Sequence, residues 1–167
     1  MTLIRRILAS FLIVLLGMTS TLSAQDRGPV TNLPLPRFVS IKAGEANVRR
    51  GPSLTHRVDW VFKARDLPVE ITAEHGHWRR VRDRDGVGGW IHHALLSGVR
   101  TGIVEVEVAA LRTQPERSAP MRATLERNVI GRILSCDGTW CRFSAGGYRG
   151  WVLQTEIWGT RIGEIIE

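Results

Sequence analysis

The sequence predicts an all-β chain that builds one small barrel or sandwich twice, in tandem, behind an N-terminal export signal. Three observations carry that expectation. First, one pattern is stated two times: Gly76-His77-Trp78-Arg79-Arg80-Val81 with Gly89-Trp90-Ile91 behind it, then Gly138-Thr139-Trp140-Cys141-Arg142-Phe143 with Gly150-Trp151-Val152. Upstream, Val48-Arg49-Arg50-Gly51-Pro52 has its counterpart in Leu111-Arg112-Thr113-Gln114-Pro115, and the offset between copies is 63 at the prolines, 62 at the first Trp and 61 at the second. So small a drift means one fold repeated, with minor loop changes. Second, the chain after Arg37 is a series of short β-branched and aromatic runs separated by turn residues, none of helical length. Third, the first 24 residues carry the charged, apolar and small-residue regions of a secretory signal.

In the leader, Arg5-Arg6 precede an apolar run of 12 residues from Ile7 to Met18 and a Thr/Ser-rich stretch, with cleavage expected after Ala24. That run is short of the roughly 20 residues that span a hydrocarbon core, so the leader reads as a cleaved signal peptide over residues 1–24, with no stable membrane anchor after cleavage. Residues 25–37 hold Pro29, Pro34 and Pro36 with little apolar periodicity and read as an extended, mobile lead-in. The first unit, residues 38–98, contains candidate strands at 38–43, 47–49, 58–62, 67–73, 78–82 and 88–92, with turns at Gly51-Pro52, Ala64-Arg65-Asp66, His75-Gly76 and Asp85-Gly86. The second, residues 103–160, repeats it with strands at 103–109, 111–112, 119–125, 129–136, 140–144 and 150–153. A unit of about 60 residues is near the lower limit for a self-sufficient core, so the two are expected to support each other across the short linker.

The order Asn47-Val48-Arg49-x-Gly51-Pro52, Gly76-x-Trp78-x-x-Val81 and Gly89-Trp90-Ile91 resembles a bacterial SH3-like (SH3b) domain. The second unit resembles a diverged copy, and together they cover about residues 38–159. The resemblance implies two tandem small SH3-like β-barrels of five to six strands each, an exported protein, no cofactor, and a binding role that in related proteins is often directed at the cell wall. The second copy departs from the pattern, with Gln114 for Gly51 and Leu111 for Val48, so a groove built by the loop after Arg112 would differ between units.

The formal net charge of +7 falls to +5 when the two Arg of the leader are removed. This is no nucleic-acid signature, because basic residues alternate with acids, as in Arg82-Asp83-Arg84-Asp85, instead of forming one stripe. Cys136 and Cys141 flank Asp137-Gly138-Thr139-Trp140, a turn-forming loop between two apolar runs, and should face each other across a hairpin. In an oxidising compartment the pair reads as a disulfide worth about 2 kcal/mol in loop entropy; two buried free thiols are the alternative.

Strand parity selects the candidate ligand-binding residues. Trp78 and Arg80 share one face of their strand, Arg79 and Val81 the other, and Trp140 and Arg142 are likewise opposed to Cys141 and Phe143. With Val81 and Phe143 inside, Trp78 and Trp140 lean toward the surface as a possible platform, alongside Arg80 and Arg142; the competing use is to cap the core or fill the interface between units. Trp90 and Trp151, each beside a glycine and a β-branched residue, read as core. Arg49 and Arg112 recur before a Pro-containing turn, where a guanidinium either binds a carboxylate or ties down the loop, the latter favoured by its repetition. All five His lie in the first unit, but His75-x-His77 and His92-His93 belong to separate turns and no Cys or acid completes a set, so they read as solvated and no metal is expected. No catalytic residue is assigned: the cysteines are expected to pair, and neither a Gly-x-Ser-x-Gly elbow nor a His-Glu-x-x-His helix is present.

The expectation is therefore a periplasmic or secreted, non-enzymatic binding module. It would recognise peptidoglycan or another envelope component; the alternative is a scaffold that docks an extended segment of an envelope protein.

Overall fold

A computed structural model describes residues 26–167; the signal peptide and its cleavage point lie outside the described residues. The first unit contains β1 (Arg37–Ile41), β2 (Ala46–Arg49), β3 (Val58–Phe62), β4 (Pro68–His75), β5 (Trp78–Arg82), β6 (Gly88–His92) and β7 (Leu96–Ser97). The second contains β8 (Thr101–Val104), β9 (Val108–Arg112), β10 (Met121–Glu126), β11 (Ile130–Asp137), β12 (Trp140–Ala145), β13 (Tyr148–Leu153) and β14 (Ile157–Trp158), and β15 (Ile165–Ile166) follows. The strand orders β3-β2-β6-β5-β4-β1-β7 and β10-β9-β13-β12-β11-β8-β14 are the same, element for element, so the repeat in sequence is a repeat in topology. All pairings are antiparallel.

Each unit has its own core. In the first, Ile41, Val48, Phe62, Val69, Ile71, Val81 and Ile91 are buried; in the second, Val104, Leu111, Leu125, Ile133, Phe143, Val152 and the cystine take the equivalent places. Alternation along β5 and β12 sends Val81 and Phe143 inward, as parity requires. Cys136 and Cys141 are paired across the β11–β12 hairpin as a disulfide.

Two expectations are corrected. The run 103–109 is not one strand: β8 ends at Val104 and β9 begins at Val108. Its Val-Glu alternation has the period of a strand, but the chain turns there, with Glu105 N–H donating to the Glu156 carbonyl and Asn128 N–H to that of Val104. Nor is the proline-rich lead-in a mobile tail. Glu74, fully buried at the end of β4, accepts from Val30 N–H at 3.0 Å, Thr31 N–H at 2.9 Å, the Thr31 hydroxyl at 2.7 Å and Arg37 Nη2 at 2.7 Å. That carboxylate holds residues 30–37 against the first barrel and lets Leu35 join its core. Three prolines disfavour regular structure without preventing a chain from being tied down by a buried acceptor.

Candidate functional site

On the outward face of each barrel the same three residues stand in one cross-strand row. Arg80 of β5 pairs with Trp90 of β6, which pairs with Arg49 of β2. In the second unit Arg142 of β12 pairs with Trp151 of β13, which pairs with Arg112 of β9. Ile91 and Val152 are fully buried, so alternation turns their neighbours Trp90 and Trp151 outward, where both are half-buried. Side chains directly opposite on antiparallel strands have Cβ atoms about 4.5–5.5 Å apart, so each indole is flanked by two Arg stems.

This corrects the assignment of the tryptophans. Trp90 and Trp151 are not core; the β-branched neighbours are. The glycine before each has a separate cause: a Cβ at Gly89 would sit 2.7 Å from the Arg49 carbonyl oxygen, and one at Gly150 2.5 Å from that of Arg112. The Gly-Trp pair thus places a bare backbone against the neighbouring strand and an indole beyond it.

Of the two uses open to Trp140, surface platform and core cap, the structure shows the second: it is buried at 8% exposure. Its strand has the expected parity, but the C-terminal segment folds back over the β11–β12 hairpin: β15 pairs with Cys136 and Asp137, and Gly163 lies against Gly138. Trp78 is half-buried, its ring meeting His92 edge-on at 5.5 Å. Arg80 and Arg142 are exposed, and Arg80 lines an open depression of about 310 Å³ with Thr72, Arg82, Gly88 and Gly89.

Arg49 and Arg112 are loop ties. Arg49 Nη1 donates to the Leu54 and His56 carbonyls at 3.0 and 2.7 Å, and Arg112 Nη1 to the Ala119 carbonyl at 2.7 Å. The conserved use of one guanidinium nitrogen in both units fixes the β2–β3 and β9–β10 loops beside each Trp.

Sequence reasoning passed over Trp60. It stands on β3, at the edge of the first sheet, and is 50% exposed. Its second-unit counterpart is Ala123, since Trp60 pairs with Val48 as Ala123 pairs with Leu111. Next to it Asp59 accepts from Arg50 at 3.0 Å and Arg57 at 2.6 Å, which hold its carboxyl below the usual range.

His77 of one histidine pair, read as separate from the other, comes together with His92 and His93. Pairing of Trp78 with His92 sets His77 opposite His93, and the ring centroids of His77, His92 and His93 are 4.9 to 5.8 Å apart. Burial, followed by the charges of His92, Arg79 and His77, lowers the pKa of His93. The signal was available: a hairpin centred on Asp85-Gly86 that pairs residues 82 and 88 also pairs 77 and 93.

Comparison with known proteins places this geometry in a family. No curated protein matches the chain. Among solved structures it is similar to NlpC2 from Trichomonas vaginalis, at 21% identity and a TM-score of 0.34, covering 75% of this chain and 48% of that one. It is also similar to NlpC1 from the same organism, at 20% identity and a TM-score of 0.35, covering 81% of this chain and 46% of that one. The chain thus spans about half the length of each. A model of the bacterial SH3 domain matches residues 42–98 and again residues 105–159, and the chain belongs to that family.

Proposed function

We propose that this chain is an exported, non-catalytic binding module that recognises peptidoglycan or another cell-envelope component through the outward Arg-Trp-Arg rows of its two bacterial SH3 domains. The observation that carries the reading is the repetition of that row, Arg80-Trp90-Arg49 and Arg142-Trp151-Arg112, in units that differ elsewhere. An indole between two guanidinium groups offers an apolar face to a sugar ring or peptide backbone and charged forks to a carboxylate, the group that wall peptides carry. A disulfide persists in oxidising compartments, which agrees with export.

Sedimentation with purified, protein-free sacculi tests the proposal. Retention at low salt is expected, and Trp90→Ala combined with Trp151→Ala should weaken it about tenfold or more, as loss of buried aromatic anchors does. Arg80→Ala with Arg142→Ala should weaken it less and flatten its salt dependence. No retention of the unaltered protein at low salt would sink the wall-binding version. Release of soluble fragments from the sacculi would overturn the non-enzymatic one.

One observation favours a second reading. Trp60, exposed on the edge strand β3, suits an extended segment of an envelope protein that adds itself to the sheet. A partner captured equally well from envelope extract before and after muramidase digestion, and lost with Trp60→Ala, would select this reading over the first.

A further inference from the structure

Three histidines converge at the open end of the β5–β6 hairpin. His93 N–H donates to the His77 carbonyl at 2.9 Å, closing the last rung beyond the Trp78–His92 pair, so His77, His92 and His93 share one corner of the first barrel. One ring nitrogen from each lies within 4.8 Å of the other two. Their ring centroids are 4.9, 5.5 and 5.8 Å apart. Imidazoles that bind one tetrahedral ion through nitrogens at about 2.0–2.1 Å have centroids about 5 Å apart and nitrogens about 3.3 Å apart. The rings therefore stand close to the ligated spacing, and binding an ion requires nitrogens that now lie within 4.8 Å of one another to close to about 3.3 Å.

We propose that His77, His92 and His93 form a binding site for a borderline divalent transition-metal ion, with Zn²⁺ and Cu²⁺ the best fits. The donor set is all imidazole, which suits these ions and not Mg²⁺ or Ca²⁺. His77 and His93 are exposed and His92 half-buried, so an ion enters from solvent and keeps at least one open position. Trp78 limits the freedom of His92 by packing edge-on against it at 5.5 Å. The Ala94 N–H contact to His92 Nδ1 is long, 3.3 Å, and is given up at little cost when Nε2 takes the ion and the ring proton moves to Nδ1. The nearest cation, Arg79, is turned to other partners: Nη1 donates to the Gly76 and Trp78 carbonyls at 2.8 and 2.9 Å, and Nε lies 3.5 Å from the Glu74 carboxylate. The site adjoins the first unit's Arg-Trp-Arg row, two residues along β5 and β6 on the same outward face, but its ligands are not members of that row, and the proposal does not depend on wall binding.

The protein purified without a histidine tag and stripped with a chelator is titrated with Zn²⁺ in a calorimeter, and with Cu²⁺ while tryptophan fluorescence is followed. One equivalent should bind, with Cu²⁺ quenching a signal that Trp78→Phe largely removes. His77→Ala and His93→Ala, both at exposed positions and checked for native circular dichroism, should each weaken binding about tenfold or more, while His56→Ala leaves it unchanged. Absence of saturable binding, or affinity retained in the double variant His77→Ala/His93→Ala, overturns the site. Sacculus sedimentation in the presence of chelator keeps failure here distinct from failure of the wall-binding reading.

Discussion

The residue that most alters the outline of this protein is Glu74, a carboxylate with no solvent exposure at the end of β4. Burial alone would raise its pKa; the Thr31 hydroxyl, the Arg37 guanidinium and the backbone N–H groups of Thr31 and Val30 outweigh that and hold it at about 2. A carboxyl whose folded pKa lies below its unfolded value contributes stability that is complete above the unfolded value and is lost as pH falls through the folded one. For Glu74 the window runs from the ordinary 4.5 down to about 2, and its contribution is on the order of 3 kcal/mol. Glu74→Gln should therefore lower the melting temperature at pH 7 and lose much of the acid sensitivity of the unaltered protein between pH 5 and pH 2. Thermal denaturation across that range checks it, and parallel pH profiles for the two proteins would refute it. Nothing in the sequence singled out Glu74, because its partners are 37 to 44 positions away. Trp140 shows a related limit: parity names the face a side chain leaves from and leaves platform and cap both open, and only the C-terminal segment folding over the β11–β12 hairpin decides for the cap. For Trp90 and Trp151 the sequence reading as core fails in the other direction: the fully buried residues are their neighbours Ile91 and Val152, and alternation then turns the indoles outward.

At the scale of the elements, the two barrels reach the same shape with different side chains, and one exchange is reciprocal. Inward on β5 the first unit has Val81, and facing it on β1 and β4 are Val39 and Val69, all buried. The second unit has Phe143 there, with Gly102 and Gly131 in the places of the two valines. A Cβ on Gly131 would meet the Phe143 ring at 2.4 Å, and one on Gly102 would meet it at 3.3 Å. A large residue has moved to one strand while two small ones have made its room, which preserves core volume. Gly131→Val should thus destabilise the second unit by roughly 1–3 kcal/mol through overpacking, and Phe143→Val should destabilise it through a cavity. The double variant should be more stable than the sum of the two, with a coupling of about 0.5–3 kcal/mol read from urea midpoints; strict additivity would show that the glycine has another cause. This is also where the sequence was most legible. The spans 58–62, 78–82 and 88–92 are legible to the residue, because turn residues stand beside them: Asp66 beyond the first, Gly76 before the second, and Asp85-Gly86 between the second and third. The short β7, β14 and β15 were not, since two-residue strands carry no period and owe their pairing to β1, β8 and β11.

On the scale of the whole molecule, the two barrels are joined by more than their linker. Phe38, in the first strand, packs edge-on against Trp158, in β14 of the second unit, with centroids 5.0 Å apart. Arg100, in the linker, stands 5.6 Å from the same Phe38 ring and donates to both carboxylate oxygens of Glu164 at 2.9 and 3.0 Å and to the Gly159 carbonyl at 3.0 Å. Burial opposes the ionisation of Glu164, and Arg100, Arg161 N–H and Thr160 overcome it and lower its pKa. Further contacts run from Arg84 to Asn128 and from Arg161 to the Pro36 carbonyl, so the lead-in, both units and the C-terminal segment meet at one seam. The mutual support expected from small cores thus has a definite location, and Trp158 is its apolar centre. Replacing a fully buried Trp by Ala costs about 3–5 kcal/mol; Trp158 is half-buried, and Trp158→Ala should cost roughly 2 kcal/mol. The more telling consequence is cooperativity. Units that share a seam unfold together, so the unaltered protein should give a single calorimetric transition, whereas Trp158→Ala should resolve two, the first unit melting earlier because it lacks the disulfide. Trypsin should also cut after Arg100 faster in the variant, since release of Phe38 frees the linker that Arg100 anchors. One unchanged transition with unchanged cleavage would mean that the barrels are coupled by the Arg100–Glu164 pair and not by the aromatic contact, and Glu164→Gln would then produce the split that Trp158→Ala did not.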